Sequence, residues 1–161
     1  MVHNRLACKN IVCQIDGRTV MDSDRCIFFQ LAKANQLAGK FLGQKVAGLN
    51  ITPVQALTLG FLNKEDRIAA SELGRKTELD SATLTGILDR LEAARLIERH
   101  NNPDDRRSIL IYLTESGKVV AMKAARLIVE ANQELLRDLT EEESHFLHET
   151  IGKLRRQAIK I

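Results

Sequence analysis

Residues 70–114 read ASELGRKTELDSATLTGILDRLEAARLIERHNNPDDRRSILIYLT, and three kinds of local pattern follow one another in this stretch. Leu73 anchors a short helix, Leu79 lies in a tight turn, and Asp80 or Ser81 caps a second helix. On that second helix Leu84, Ile87, Leu88 and Leu91 fall on one apolar stripe. At about 100° per residue the opposite side carries Ala82, Thr85, Gly86, Asp89, Arg90 and Ala93. RLIERH, NNPDDRR and SILIYLT then read as strand, turn-rich tip and strand. Two short helices followed by a hairpin with an arginine tip make a helix-turn-helix with a wing.

The flanks are helical. Asp22, Ser23 or Asp24 is placed to cap a helix through RCIFFQLAKANQLAGKFLGQKVA, where Ile27, Leu31, Ala34, Ala38, Phe41 and Leu42 recur at helical spacing. Thr52 before Pro53 starts a second helix, because proline at the first helical position gives up no needed N–H. That helix is expected to bury Val54, Leu57 and Phe61 or their neighbours. Thr114 caps a long helix with Val120, Ala124, Leu127, Ala131 and Leu135 along one face, and Thr140 with Glu143 forms a capping box for the last one. The predicted fold is mainly α with a small β-hairpin wing, a winged helix-turn-helix carrying helical arms. The organisation read from the sequence is an N-terminal arm over 1–23 and one domain over 24–161. Within that domain 52–113 form the winged head, and 24–48 with 114–161 form helices for dimerisation.

Ahead of these helices, IVCQIDGRTV alternates around an Asp-Gly pair, which fits a hairpin or a loosely ordered arm. The three cysteines, Cys8, Cys13 and Cys26, are an odd number, which argues against a disulfide framework. Cys26 sits among apolar helix residues, where a free thiol behaves as a small hydrophobe. Cys8 and Cys13, near Lys9 and His3, could serve as a redox pair or join a metal site. His145 and His148 lie three apart on a helix, but no third ligand is evident and a solvated face accounts for them. We find no set of nucleophile, base and orienting group and no phosphate-cradling glycine loop, so the expectation is a protein without catalysis or a cofactor. No apolar run is long enough to span a bilayer and the N-terminus lacks a signal-peptide core, so a cytoplasmic location is expected.

Of 161 residues, 44% are hydrophobic and 28% charged, and the net charge is +3. The positive excess lies in the first 66 residues, so global charge makes no case for DNA; the case rests on where single arginines point. With no tryptophan and one tyrosine, stacking on single-stranded bases is excluded as the main mode of binding. In a helix-turn-helix the second helix enters the major groove N-terminus first. Here that end carries Ser81, Ala82, Thr83, Thr85 and Gly86, small enough for close approach, with hydroxyls for phosphate or base edges and Arg90 a turn later. At the wing tip, Arg106 and Arg107 fit a narrow minor groove, and Asp105 makes sense as the group that orients a neighbouring arginine.

LDSATLTGILDRLEAARLIER followed by NPDDRRSILIYLTESG resembles the recognition-helix and wing signature of the MarR (multiple antibiotic resistance regulator) family of bacterial transcription factors. The helical order fits that family from about residue 24 to 161. The resemblance implies a homodimer interlocked through the first and the last two helices, and a small molecule or oxidant that releases DNA. It implies Asp105 with Arg107 as the wing pair and Ser81 to Arg90 as the groove reader. Two departures stand out: Ala69 or Ala70 replaces the usual capping Ser or Thr of the first motif helix, and the cysteine-bearing arm has no counterpart. The expected function is therefore a repressor that binds a pseudo-palindromic double-stranded operator and is released by a small aromatic or phenolic effector. Phe29, Phe41 and Phe61 are candidate walls of the effector crevice. The alternative is a thiol-redox or metal sensor that uses Cys8 and Cys13.

Overall fold

The computed structural model describes residues 12–15, 18–105 and 107–158, with side-chain surroundings from Asp22 to Gln157 except at Arg106. The chain divides into two compact units, residues 1–41 and 42–161.

In the first unit, strands β1 (Val12–Ile15) and β2 (Arg18–Met21) pair antiparallel, with Val12 opposite Met21 and Ile15 opposite Arg18. The alternating residues on either side of Asp16-Gly17 thus pair as strands, and those two linking residues lie outside the described ones. Helix α1 (Ile27–Val46), whose last turn belongs to the second unit, begins three residues after the acidic cluster expected to cap it. Asp22 instead closes a turn: its carbonyl accepts from the amides of Arg25 and Cys26 at 3.3 and 2.9 Å, and its carboxylate accepts from the Asp24 amide at 3.1 Å. Cys26 is a free, buried thiol.

In the second unit, α2 (Pro53–Lys64) starts at Thr52 as read from the sequence. The Thr52 hydroxyl accepts from the Gln55 amide, and the Gln55 side chain accepts from the Thr52 amide at 2.8 Å. Its buried face is that of the neighbours, Ala56, Thr58, Leu59 and Leu62, while Leu57 and Phe61 are exposed. Thr58 reaches the core by returning its hydroxyl proton to the Val54 carbonyl at 2.8 Å, which removes the cost of an unpaired polar group. Helix α3 (Ala70–Thr77) and helix α4 (Ser81–Ala93) follow, then strands β4 (Ile97–Asn101) and β5 (Ile109–Leu113). A two-residue strand β3 (Ile68–Ala69) joins the other edge of β5, giving a three-stranded antiparallel sheet in the order β3-β5-β4. Asp66 fixes this edge by accepting from the Leu113 amide at 2.9 Å.

The main core gathers Leu59 and Leu62 of α2, Leu73 of α3, the Leu84–Leu91 stripe of α4, and Ile97, Ile111 and Leu113 of the sheet. Helix α5 (Glu115–Leu135) seals it with Ala121 and forms a second cluster with Val46 and Ala56 through Ala124. Thr114 caps α5 as expected, accepting from the Gly117 amide at 2.9 Å. Helix α6 (Glu141–Ala158) starts at the Thr140–Glu143 capping box. Among the described residues no helix is long and apolar enough to cross a membrane.

Candidate nucleic-acid interface

The turn between α3 and α4 owes its tightness to backbone that few residues adopt. Glu78 ends α3 in the left-handed region at φ 54°. Arg155 of α6 donates to the Glu78 carboxylate and holds its pKa below the ordinary range, so the last helix is tied to this turn. Gly74 keeps the two helices close, since a β-carbon there would stand 3.3 Å from Leu84 Cδ2. Helix α3 itself has no side-chain cap: Ala69 precedes it, as the sequence indicated, and its backbone pairs with Leu110 in the sheet instead.

Asp80 caps α4. The amide and hydroxyl of Thr83 donate to its two carboxylate oxygens at 2.9 and 2.6 Å. These bonds, the Thr83 hydroxyl foremost, hold the Asp80 carboxyl below the usual aspartate range. A carboxylate at a helix N-terminus also meets the positive end of the helix dipole. The Leu84, Ile87, Leu88 and Leu91 stripe is buried, which turns Ser81, Ala82, Thr85, Asp89 and Arg90 outward. Thr85 donates its hydroxyl proton to the Ser81 carbonyl at 2.7 Å. Gly86 is half-buried, and a β-carbon on it would meet nothing within 4 Å.

The wing tip is built from short-range bonds. Ser108 donates its amide to the Asp105 carbonyl at 2.8 Å, and Asn102 donates to the Ser108 carbonyl at 3.0 Å. The Asp105 carboxylate accepts from the Arg107 amide at 3.0 Å and lies 3.8 Å from the Arg107 guanidinium. Arg107 is 96% exposed, so its charge stays in solvent. Arg106 lies outside the described residues.

Three contributors to this surface were not singled out from the sequence. Ser71 and Arg75 of α3 line a groove of about 380 Å³ together with Ser81 and Thr85 of α4. Arg75 is aimed by two bonds to Glu72, at 2.9 and 2.5 Å. Its Glu72–Arg75 spacing on one helix was the signal that could have found it. Arg99 of β4 pairs with Asp89 and Glu92 of α4 at 2.7 and 3.3 Å, locking the wing to the helix beside it.

Phe61, His145 and His148 do not line this groove. Phe29 and Phe41 belong to the first unit and Phe61 to the second, where it is 39% exposed on α2. Cys8 is outside the described residues, and Cys13 lies in β1 with its side chain not described. His145 and His148 are exposed on α6, with His148 Nδ1 2.7 Å from the Ser144 carbonyl oxygen. Among the described residues no three His, Cys, Asp or Glu side chains group as a metal site would need.

Known proteins resemble this chain in both sequence and fold. The family model described as MarR family matches residues 49–108. The multiple antibiotic resistance protein MarR of Escherichia coli is 31% identical over 121 residues, covering 74% of this chain and 84% of the relative. A probable transcriptional regulator from Pseudomonas aeruginosa superposes with a TM-score of 0.77 at 30% identity, covering 83% of this chain and 99% of the other. A mutant E. coli MarR complexed with operator DNA superposes with a TM-score of 0.72 at 29% identity, over 78% of this chain and 90% of the other. With its helix-turn-helix and wing matched in both sequence and fold, the chain belongs to the MarR family of winged helix-turn-helix transcription regulators.

Proposed function

We propose that the chain is a homodimeric repressor that binds a pseudo-palindromic double-stranded operator and releases it when a small aromatic or phenolic effector binds. The observation that carries the DNA reading is the pairing of an outward α4 N-terminus with Arg107, which is exposed yet held in place by Asp105. In this reading Ser81, Ala82, Thr83, Thr85, Gly86 and Arg90 face the major groove. Ser71 and Arg75 take the flanking phosphates, and Arg107 with Asp105 and Arg106 serves the minor groove. That MarR has been solved with operator DNA supports the choice of partner.

Assembly is supported by apolar surface that one copy leaves in water. Phe28 is 81% exposed on α1, and Phe146 is 67% exposed on α6 beside exposed Leu147, Ile151 and Leu154. Patches of this kind mark interfaces. We assign the arms to 24–48 and 114–161 and the reading head to 52–113, with two heads meeting successive major grooves about 34–36 Å apart. An effector acts by favouring another spacing, at about 1.4 kcal/mol of differential affinity for each tenfold loss of DNA binding. Phe29, Phe41 and Phe61 are proposed as apolar contacts for it. The test is selection of a duplex from a random library, followed by titration of small aromatic acids against the complex. A selected site with two half-sites, released by one of these acids, supports the proposal. Release by oxidant alone, lost in a Cys8→Ser, Cys13→Ser double mutant, would replace the ligand with a thiol switch.

A further inference from the structure

The outward surface of α4 is poorer in hydrogen-bond donors than its sequence suggests. The Thr83 hydroxyl proton is given to Asp80 and the Thr85 hydroxyl proton to the Ser81 carbonyl. A hydroxyl committed in this way offers a partner a lone pair but no proton. Thr85 is exposed, and with its oxygen turned onto the helix backbone it presents chiefly its γ-methyl to the outside. Ala82 stands three residues before Thr85 and Gly86 four after Ala82, so the three share one patch of helix surface.

Among the described residues nothing requires glycine at position 86. A β-carbon there would meet no atom within 4 Å, and glycine inside a helix costs stability relative to alanine. A bare Cα next to an exposed alanine and an exposed threonine leaves an apolar patch in a face that otherwise reads as polar. Of the groups that base edges expose in the major groove, one is apolar: the C5-methyl of thymine.

Building on the DNA-binding reading above, we infer that α4 recognises thymine C5-methyl groups, with Ala82 and Thr85 as the walls and Gly86 as the floor of the contact. Each half-site then carries at least one thymine whose methyl group, rather than its hydrogen-bonding edge, is read.

The experiment replaces thymine by deoxyuridine, one position at a time, across a duplex selected from a random library, because this removes the methyl and leaves the base pair intact. At one or more positions in each half-site the loss should be about fourfold in affinity, the value of one buried methyl group. Replacements outside the half-sites should be neutral. Gly86→Ala should raise the melting temperature of the free protein, weaken binding to the thymine duplex and shrink the thymine–uracil difference. A stability change alone would not produce that opposed pair. If the selected duplex is preferred over a scrambled one and every uracil replacement is neutral, thymine reading is wrong while DNA binding stands. If no duplex is preferred over any other, the inference and the DNA-binding proposal fall together.

Discussion

Gly117 lies so close under the carbonyl of Leu96 that a β-carbon on it would stand 1.8 Å from the carbonyl oxygen. The same carbonyl accepts from the Thr114 amide at 3.1 Å, and Thr114 donates its hydroxyl to the Arg95 carbonyl at 2.7 Å. This seam joins the start of α5 to the turn that leaves α4, so the two helices are packed backbone to backbone there. Gly117→Ala must push the two apart. The expected loss is about 1–3 kcal/mol or more of stability, with a lowered urea midpoint. Thr114→Ala, which removes both the cap and the hydroxyl's bond to the Arg95 carbonyl, should cost about 1–2 kcal/mol. Equal midpoints for Gly117→Ala and wild type would show that the seam opens freely.

The cap of α4 brings a pH dependence whose sign is set by Asp80. Its carboxyl is held below the usual range by the Thr83 hydroxyl and amide, so its contribution is fully present above the unfolded value, near about 4. It is lost as pH falls through the lower folded value. Thermal melts of wild type and Asp80→Asn should therefore differ by a constant gap from neutral pH down to about 5, and the gap should narrow in stronger acid. A gap that widens on acidification would contradict the assignment.

Local capping is the part of the fold most legible in the sequence, because each signal is complete within four residues. Thr52 with Gln55, Asp80 with Thr83, Thr114 with Gly117 and Thr140 with Glu143 all close where the sequence placed a helix start. The α4 stripe was legible for a related reason: one side of that helix is apolar and the other is not. Helix α2 lacks this contrast, with apolar residues all round, so only its packing against the other helices and the sheet decides that Leu59 and Leu62 go inside and Leu57 stays out. Strand β3 is two residues long and exists through pairing with β5, more than forty residues away, so nothing local announces it. Arg99 belongs to the same class, since its partners Asp89 and Glu92 become neighbours only when β4 folds along α4. The donors of Thr83 and Thr85 were read as available to DNA, and hydrogen bonding inside the helix takes both.

At the wing, Arg107→Ala should weaken operator binding by about 1–3 kcal/mol and reduce the salt slope by about one charge per half-site. Because Asp105 also holds the Arg107 amide, Asp105→Ala should weaken binding too, through a disordered tip rather than a lost charge. Binding isotherms over a range of salt concentrations distinguish the two. An Arg107→Ala dimer with unchanged affinity at matched salt would remove the wing from the mechanism.

For assembly, sedimentation at micromolar concentration should give a dimer, and Phe146→Asp on the exposed face of α6 should shift it towards monomer. A wild-type chain that sediments as a stable monomer would leave the apolar faces of α1 and α6 without a partner.

The most direct test of operator recognition is one titration of the wild-type protein, at physiological salt, against a selected duplex and a scrambled duplex of the same composition. Two half-sites on successive turns should be bound about 10³-fold or more tightly than the scrambled sequence, and moving one half-site by half a turn should abolish most of that preference. Equal affinity for all three duplexes at every salt concentration would contradict sequence-specific operator binding by this chain.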